Sequence, residues 1–81
     1  MMVTVRLFAR AKDLAGGDAV RVELTAPATV GDLRRRLAAE HPRLESLLAH
    51  SAFAVDDEFA APSLELSAGQ EIALLPPVSG G

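Results

Sequence analysis

The sequence predicts one small α+β domain whose strands gather around a single main helix. Three observations point there. Apolar and polar residues alternate, the period of a half-buried strand, near the start of the chain and again around position 22. Helical apolar spacing behind a capping sequence occurs in "TVGDLRRRLAAEHP". Finally, 81 residues is about the length at which one hydrophobic core becomes just sufficient without a staple, and a second domain does not fit.

The elements follow in order. In "VTVRLFA", Val3, Val5 and Leu7 alternate with Thr4, Arg6 and Phe8, a strand with one apolar and one mixed face. "KDLAGGD" carries the turn glycines Gly16 and Gly17, and in "AVRVELT" Val20, Val22 and Leu24 alternate with Arg21 and Glu23, so the first two strands read as a hairpin. Thr29 and Asp32 make a capping box with Asp in place of Glu; Val30, Leu33 and Leu37 continue at helical spacing until Pro42 stops the helix. "RLESLL" supplies Leu44, Leu47 and Leu48 for a short helical turn. "AFAVDDEF" predicts a brief strand, an acidic turn at Asp56, Asp57 and Glu58, and a short strand at Phe59, and "EIALL" predicts the last strand, closed by Pro76 and Pro77. A mixed sheet with one main helix packed on one face fits this order. A ubiquitin-like β-grasp suits it best, and periodicity alone leaves a ferredoxin-like arrangement open.

Composition narrows the function classes. About half of the residues are apolar but only three are aromatic, all Phe, so the core must be built mainly from Val, Leu, Ile and Ala. Cysteine is absent, which removes disulfides, thiolate metal sites and cysteine nucleophiles together. The start "MMVTVRLF" lacks the pattern of a signal peptide, and no apolar run approaches membrane-spanning length, so a soluble, cytoplasmic protein without a membrane partner is expected. A formal charge of -3 argues against a nucleic-acid partner.

The usual catalytic constellations are missing. His41 and His50 have no metal-ligand spacing and read as unrelated surface residues, and Asp56, Asp57 and Glu58 lack the alternating oxygen ligands and glycine of a calcium loop, so no metal site is expected. Gly16 and Gly17 belong to no phosphate-binding motif, and no serine sits in a nucleophile elbow. Arg34, Arg35 and Arg36 lie between the apolar helical positions, so at least two of them must point to water, and they read as a solvated helix face that an acidic partner surface could meet.

Alternation also leaves apolar side chains without a core. With Val5 and Leu7 facing the helix, Phe8 points the other way; with Ile72 and Leu74 inward, Leu75 points outward. Phe59 can join them on that outer face. Rimmed by Arg6 and Arg10, this patch is a candidate protein interface.

The chain ends "LLPPVSGG". Pro76 and Pro77 end the donor row of the strand and force an extended exit, dividing the chain into a folded domain over 1–75 and a flexible tail over 76–81. Stretched out, "PPVSGG" reaches roughly 20 Å at about 3.3–3.6 Å per residue, enough to enter another protein through Val78 and Ser79. Gly80 and Gly81 lack a Cβ and fit a narrow channel. The group they expose is the terminal carboxylate, a poor electrophile until a nucleotide converts it to a mixed anhydride. Once activated, it can accept sulfur to become a thiocarboxylate, or an amine to form an amide.

Taken together, "LFARAKDLAGG", "TVGDLRRRL", "AVDDEF" and above all "AGQEIALLPPVSGG" resemble the small, sulfur-carrier subunit family of molybdopterin synthase, over essentially the whole chain. The resemblance implies a β-grasp fold and a protein that is not an enzyme by itself and has no intrinsic cofactor. It implies that Gly81 is adenylated by a partner adenylyltransferase using ATP, and that the acyl-adenylate becomes a thiocarboxylate. The tail residues Pro76, Pro77, Val78, Ser79 and Gly80 then carry it into the large synthase subunit, within a heterotetramer of two small and two large subunits. There the sulfur passes to cyclic pyranopterin monophosphate, a step of molybdenum cofactor biosynthesis. By the same resemblance, Phe8, Phe59 and Leu75 form the partner interface. The sequence departs from the family pattern at Asp56, where Asn is frequent, in "GQE" for "GDE", and at Leu75 for Phe. Sister carriers for thiamin, cysteine or tRNA thiolation also end in Gly-Gly, and a ubiquitin-like protein modifier is a further alternative.

Overall fold

Strand β1, Met2–Leu7, follows the alternation of its sequence: Val3, Val5 and Leu7 are buried, while Met2, Thr4 and Arg6 are exposed. The computed structural model describes residues 1–77. The other elements are α1 (Ala9–Ala15), β2 (Ala19–Glu23), α2 (Val30–Glu40), a 3-10 turn (Pro42–Leu44), α3 (Glu45–Leu48), β3 (Ala52–Val55), β4 (Glu58–Phe59) and β5 (Ile72–Leu75). Five strands form one mixed sheet in the order β2-β1-β5-β3-β4, with β5 parallel to β1 and antiparallel to β3. The helices pack on one face. This is the α+β architecture of a ubiquitin-like β-grasp fold.

The hairpin expected for the first two strands needs correction. β1 and β2 do pair antiparallel, with Val3 opposite Val22 and Val5 opposite Val20, but the connection is helix α1 rather than a glycine turn. Its signal was the spacing of Ala11, Leu14 and Ala15, which turns one buried and two half-buried residues toward the core. Gly16 ends the helix in the left-handed region (φ 76°), and the N–H groups of Gly16 and Gly17 donate to the carbonyl of Lys12.

Helix α2 supplies the other half of the core through Val30, Leu33 and Leu37, which meet Val5, Val22, Phe53, Ile72 and Leu74 of the sheet. Burying each leucine contributes roughly 1.5–3 kcal/mol. The capping box forms as expected: the Asp32 N–H donates to Thr29 Oγ1 at 3.2 Å, and the Thr29 N–H donates to Asp32 Oδ2 at 2.9 Å. The long connection after β4 returns to the same helix end. There the Val30 N–H donates to the Leu64 carbonyl at 3.0 Å and the Gly31 N–H to the Pro62 carbonyl at 2.9 Å, while Leu66 enters the core.

Candidate functional site

Because β5 lies between β1 and β3, the strand that leads into the tail occupies the middle of the sheet. Ile72 and Leu74 are buried under the helices, leaving Ala73 and Leu75 half-buried on the opposite face. Residues paired across strands share a face. Arg6, Ala73, Ala54 and Phe59 therefore form one transverse row on the outer face, and Leu75 and Ala52 belong to the next. Phe8 follows Leu7, which pairs with Leu74, so Phe8 stands beside Leu75 at the end of the sheet where Pro76 and Pro77 leave.

The structure thus places Phe8, Phe59 and Leu75 on one face. Phe8 is 43% and Phe59 79% exposed, high values for aromatic side chains, while Leu75 is half-buried. Between the two rings the floor is made of small side chains, Ala73 and Ala54. A shallow recess of about 120 Å³ is lined there by Arg6, Phe8, Ala54, Asp57, Glu71 and Ala73, among others. The Arg6 guanidinium lies 6.0 Å from the centre of the Phe8 ring, which steadies the ring without burying it. Arg10 is exposed on α1 nearby in sequence.

Backbone geometry fixes both ends of this face. Ala9, directly after Phe8, has φ 51°, an uncommon conformation for a residue with a Cβ, and it turns the chain from strand into α1. At the other end Asp56 (φ 50°) and Asp57 (φ 68°) both occupy the left-handed region, as a tight two-residue hairpin between β3 and β4 requires. Asp56 is tied to the sheet: its N–H donates to the Glu71 carbonyl at 2.8 Å, and its Oδ1 accepts from the Glu71 N–H at 3.1 Å. Asp57 and Glu58 remain exposed.

In the arginine run, two of the three arginines point to water, as expected, and the third does not. Arg35 pairs with Asp32 and Arg36 with Glu40, both at the surface. Arg34 is half-buried instead; it donates to the carbonyls of Leu48 and Ser51 and lies against Phe53. An open groove of about 770 Å³ beside α2, lined by Glu23, Asp32, Arg35 and Arg36 among others, lies on the helical side, away from the tail exit. Its two arginines are already paired. His41 and His50 are not brought together with other ligands: among the described residues no three His, Cys, Asp or Glu side chains gather as a metal site would need. No helix among the described residues is long and apolar enough to cross a membrane. Val78, Ser79, Gly80 and Gly81, the rest of the expected tail, lie outside the described residues.

Comparison with known proteins agrees with this architecture. The model of the ThiS family matches residues 5–81. Small archaeal modifier protein 1 of Haloferax volcanii is 42% identical, over 94% of this chain and 97% of its own. A crystal structure of that protein superposes with a TM-score of 0.87 at 39% identity, covering 100% of both chains. The molybdopterin synthase sulfur carrier subunit of Chlamydomonas reinhardtii is 35% identical over 100% of both chains. Subunits 1 and 2 of the molybdopterin-converting factor of Helicobacter pylori have been solved as a protein–protein complex; one chain of it matches with a TM-score of 0.71 at 30% identity, covering 100% of both chains.

Proposed function

The chain belongs to the ThiS family, and from that premise we propose that it works as a ubiquitin-like carrier whose C-terminal Gly81 is activated by a partner enzyme. Its role at the level of the superfamily is that of a sulfur carrier or ubiquitin-like modifier rather than an enzyme. The observation that carries the proposal is the placement of β5: its last residue, Leu75, ends beside Phe8 on an outward apolar face, and Pro76 and Pro77 lead away from there. In this reading residues 1–75 dock through Phe8, Phe59 and Leu75, and residues 76–81 reach a site in the partner.

Activation joins the Gly81 carboxylate to AMP with release of pyrophosphate from ATP. A sulfur nucleophile that displaces AMP leaves a thiocarboxylate; an amine that displaces it leaves an amide. Two uses of the activated terminus follow. One is sulfur delivery for molybdopterin synthesis, docked on a large subunit in a two-plus-two heterotetramer. The name of the C. reinhardtii relative, the H. pylori complex and the "PPVSGG" ending support it. The other is attachment to proteins. It is favoured by the higher identity and full-length superposition with the Haloferax modifier.

Intact mass separates these uses. After incubation with a cognate adenylyltransferase, ATP and a sulfur donor, exchange of one oxygen for sulfur at the terminus supports the carrier, and isopeptide-linked species support the modifier. An unchanged chain alongside a competent activating enzyme would sink both.

A further inference from the structure

Seven residues of this sequence are arginine and one is lysine, Lys12. It lies on α1, exposed, next to the buried Ala11. Neither ion pair among the described residues includes it, so its amine can be approached without opening the core. The other primary amine is less accessible: the amino group of Met1 donates to the Leu24 carbonyl at 2.8 Å, and the Leu24 N–H returns a bond to the Met1 carbonyl. Since β1 and β5 run parallel with Leu7 beside Leu74, α1 and the Pro76–Pro77 exit start from the same end of the sheet.

We infer that Lys12 is the acceptor at which a second copy of this chain is attached through its activated C-terminus. The inference rests on the carrier reading, because it uses the acyl-adenylate of Gly81. Neutral Nζ of Lys12 attacks the acyl carbon of a second copy, forming a C–N bond. The bond from that carbon to the phosphate oxygen breaks, AMP leaves with the electron pair, and nitrogen passes a proton to solvent. ATP, consumed by the partner adenylyltransferase, is the co-reactant, and nothing is oxidised or reduced. Each copy has one donor terminus and one acceptor lysine, so the products grow as unbranched chains.

Full-length chain incubated with adenylyltransferase and ATP, with no sulfur donor, tests this. Expected are species of two copies less one water. After trypsin, these should yield the peptide 11–21 joined at Lys12 to the peptide 44–81. Lys12→Arg should abolish them while the first equivalent of pyrophosphate is still released, as in the wild type. Pyrophosphate release without linked species, linkage to Met1, a ring within one copy, or undiminished linkage in Lys12→Arg would each overturn the acceptor assignment and leave the carrier reading standing. Absence of pyrophosphate release here, together with no sulfur exchange once a sulfur donor is added, would remove the carrier reading, and the acceptor with it.

Discussion

Arg34 of α2 lies over Phe53 of β3, its guanidinium carbon 5.1 Å from the ring centre, and the same guanidinium donates to the carbonyls of Leu48 and Ser51. One side chain thus closes the C-terminal end of α3 and covers an edge of the core. Arg34→Ala leaves two carbonyls without their charged donor and is expected to cost about 2 kcal/mol, a fall in Tm of roughly 10 °C for a domain of this size. Arg35→Ala and Arg36→Ala, which lose only exposed pairs, should shift Tm by no more than about 4 °C. Equal losses for all three in thermal denaturation would contradict the assignment.

Asp32 gives a pH signature. Hydrogen bonds from the Thr29 backbone and hydroxyl, and then from Arg35, hold its carboxyl below the ordinary aspartate value of 3.8. A carboxyl depressed in the folded state stabilises the fold above its unfolded pKa, and that contribution fades as pH falls toward the folded value. The Tm difference between the wild type and Asp32→Asn should therefore be largest near neutrality and shrink below pH 3.8. A difference that widened in acid would reverse the sign.

Relief of strain is expected at Ala9. Its φ of 51° is one that glycine adopts without steric penalty, and a left-handed residue with a Cβ costs roughly 1–2 kcal/mol. Ala9→Gly gives back part of that gain by loosening the unfolded chain. The net expectation is a stabilisation of about 0.5 kcal/mol, or a Tm higher by roughly 2–4 °C. A lower Tm would show that the left-handed conformation at Ala9 holds no strain for glycine to relieve.

Docking through the outer face predicts a separation between binding and stability. Phe59, 79% exposed, contributes little to the core, so Phe59→Asp should leave Tm nearly unchanged. Phe8→Asp, Leu75→Asp and Phe59→Asp should each weaken partner binding by about 2 kcal/mol, or roughly 30-fold in Kd, because each sets a charge into an apolar contact. Calorimetry with the activating enzyme or a large synthase subunit checks this. Unaltered affinity for all three removes the interface.

Deletion of Gly81 should abolish sulfur or amide loading and leave the thermal transition and partner affinity in place. Loading that persisted in the shortened chain would move the reactive group elsewhere.

Much of the fold was legible because its signals are local. Strand alternation, the Thr29–Asp32 capping box and the stop at Pro42 each act within a few residues, and each is present. What escaped reading depends on distant partners. Helix α1 is short, and only its packing against the core separates it from a glycine turn. The return of 60–71 to the start of α2 rests on backbone bonds to Pro62 and Leu64, for which no residue type is required. Arg34 looked like its two neighbours because its acceptors, Leu48 and Ser51, are carbonyls 14 and 17 residues away. The outward placement of Phe8 and Leu75 followed from period two alone. The row joining them to Phe59 needed the strand order.

The central position of β5 also has a mechanical consequence. Hydrogen bonds hold this strand on both sides, to β1 and to β3, and the tail continues its C-terminal end. Tension applied along the strand through an anchored tail therefore loads two ladders together in shear, instead of unzipping one bond after another. A copy fastened by its terminus would resist being pulled apart at that fastening, and an unfolding machine would find easier purchase on edge strand β2.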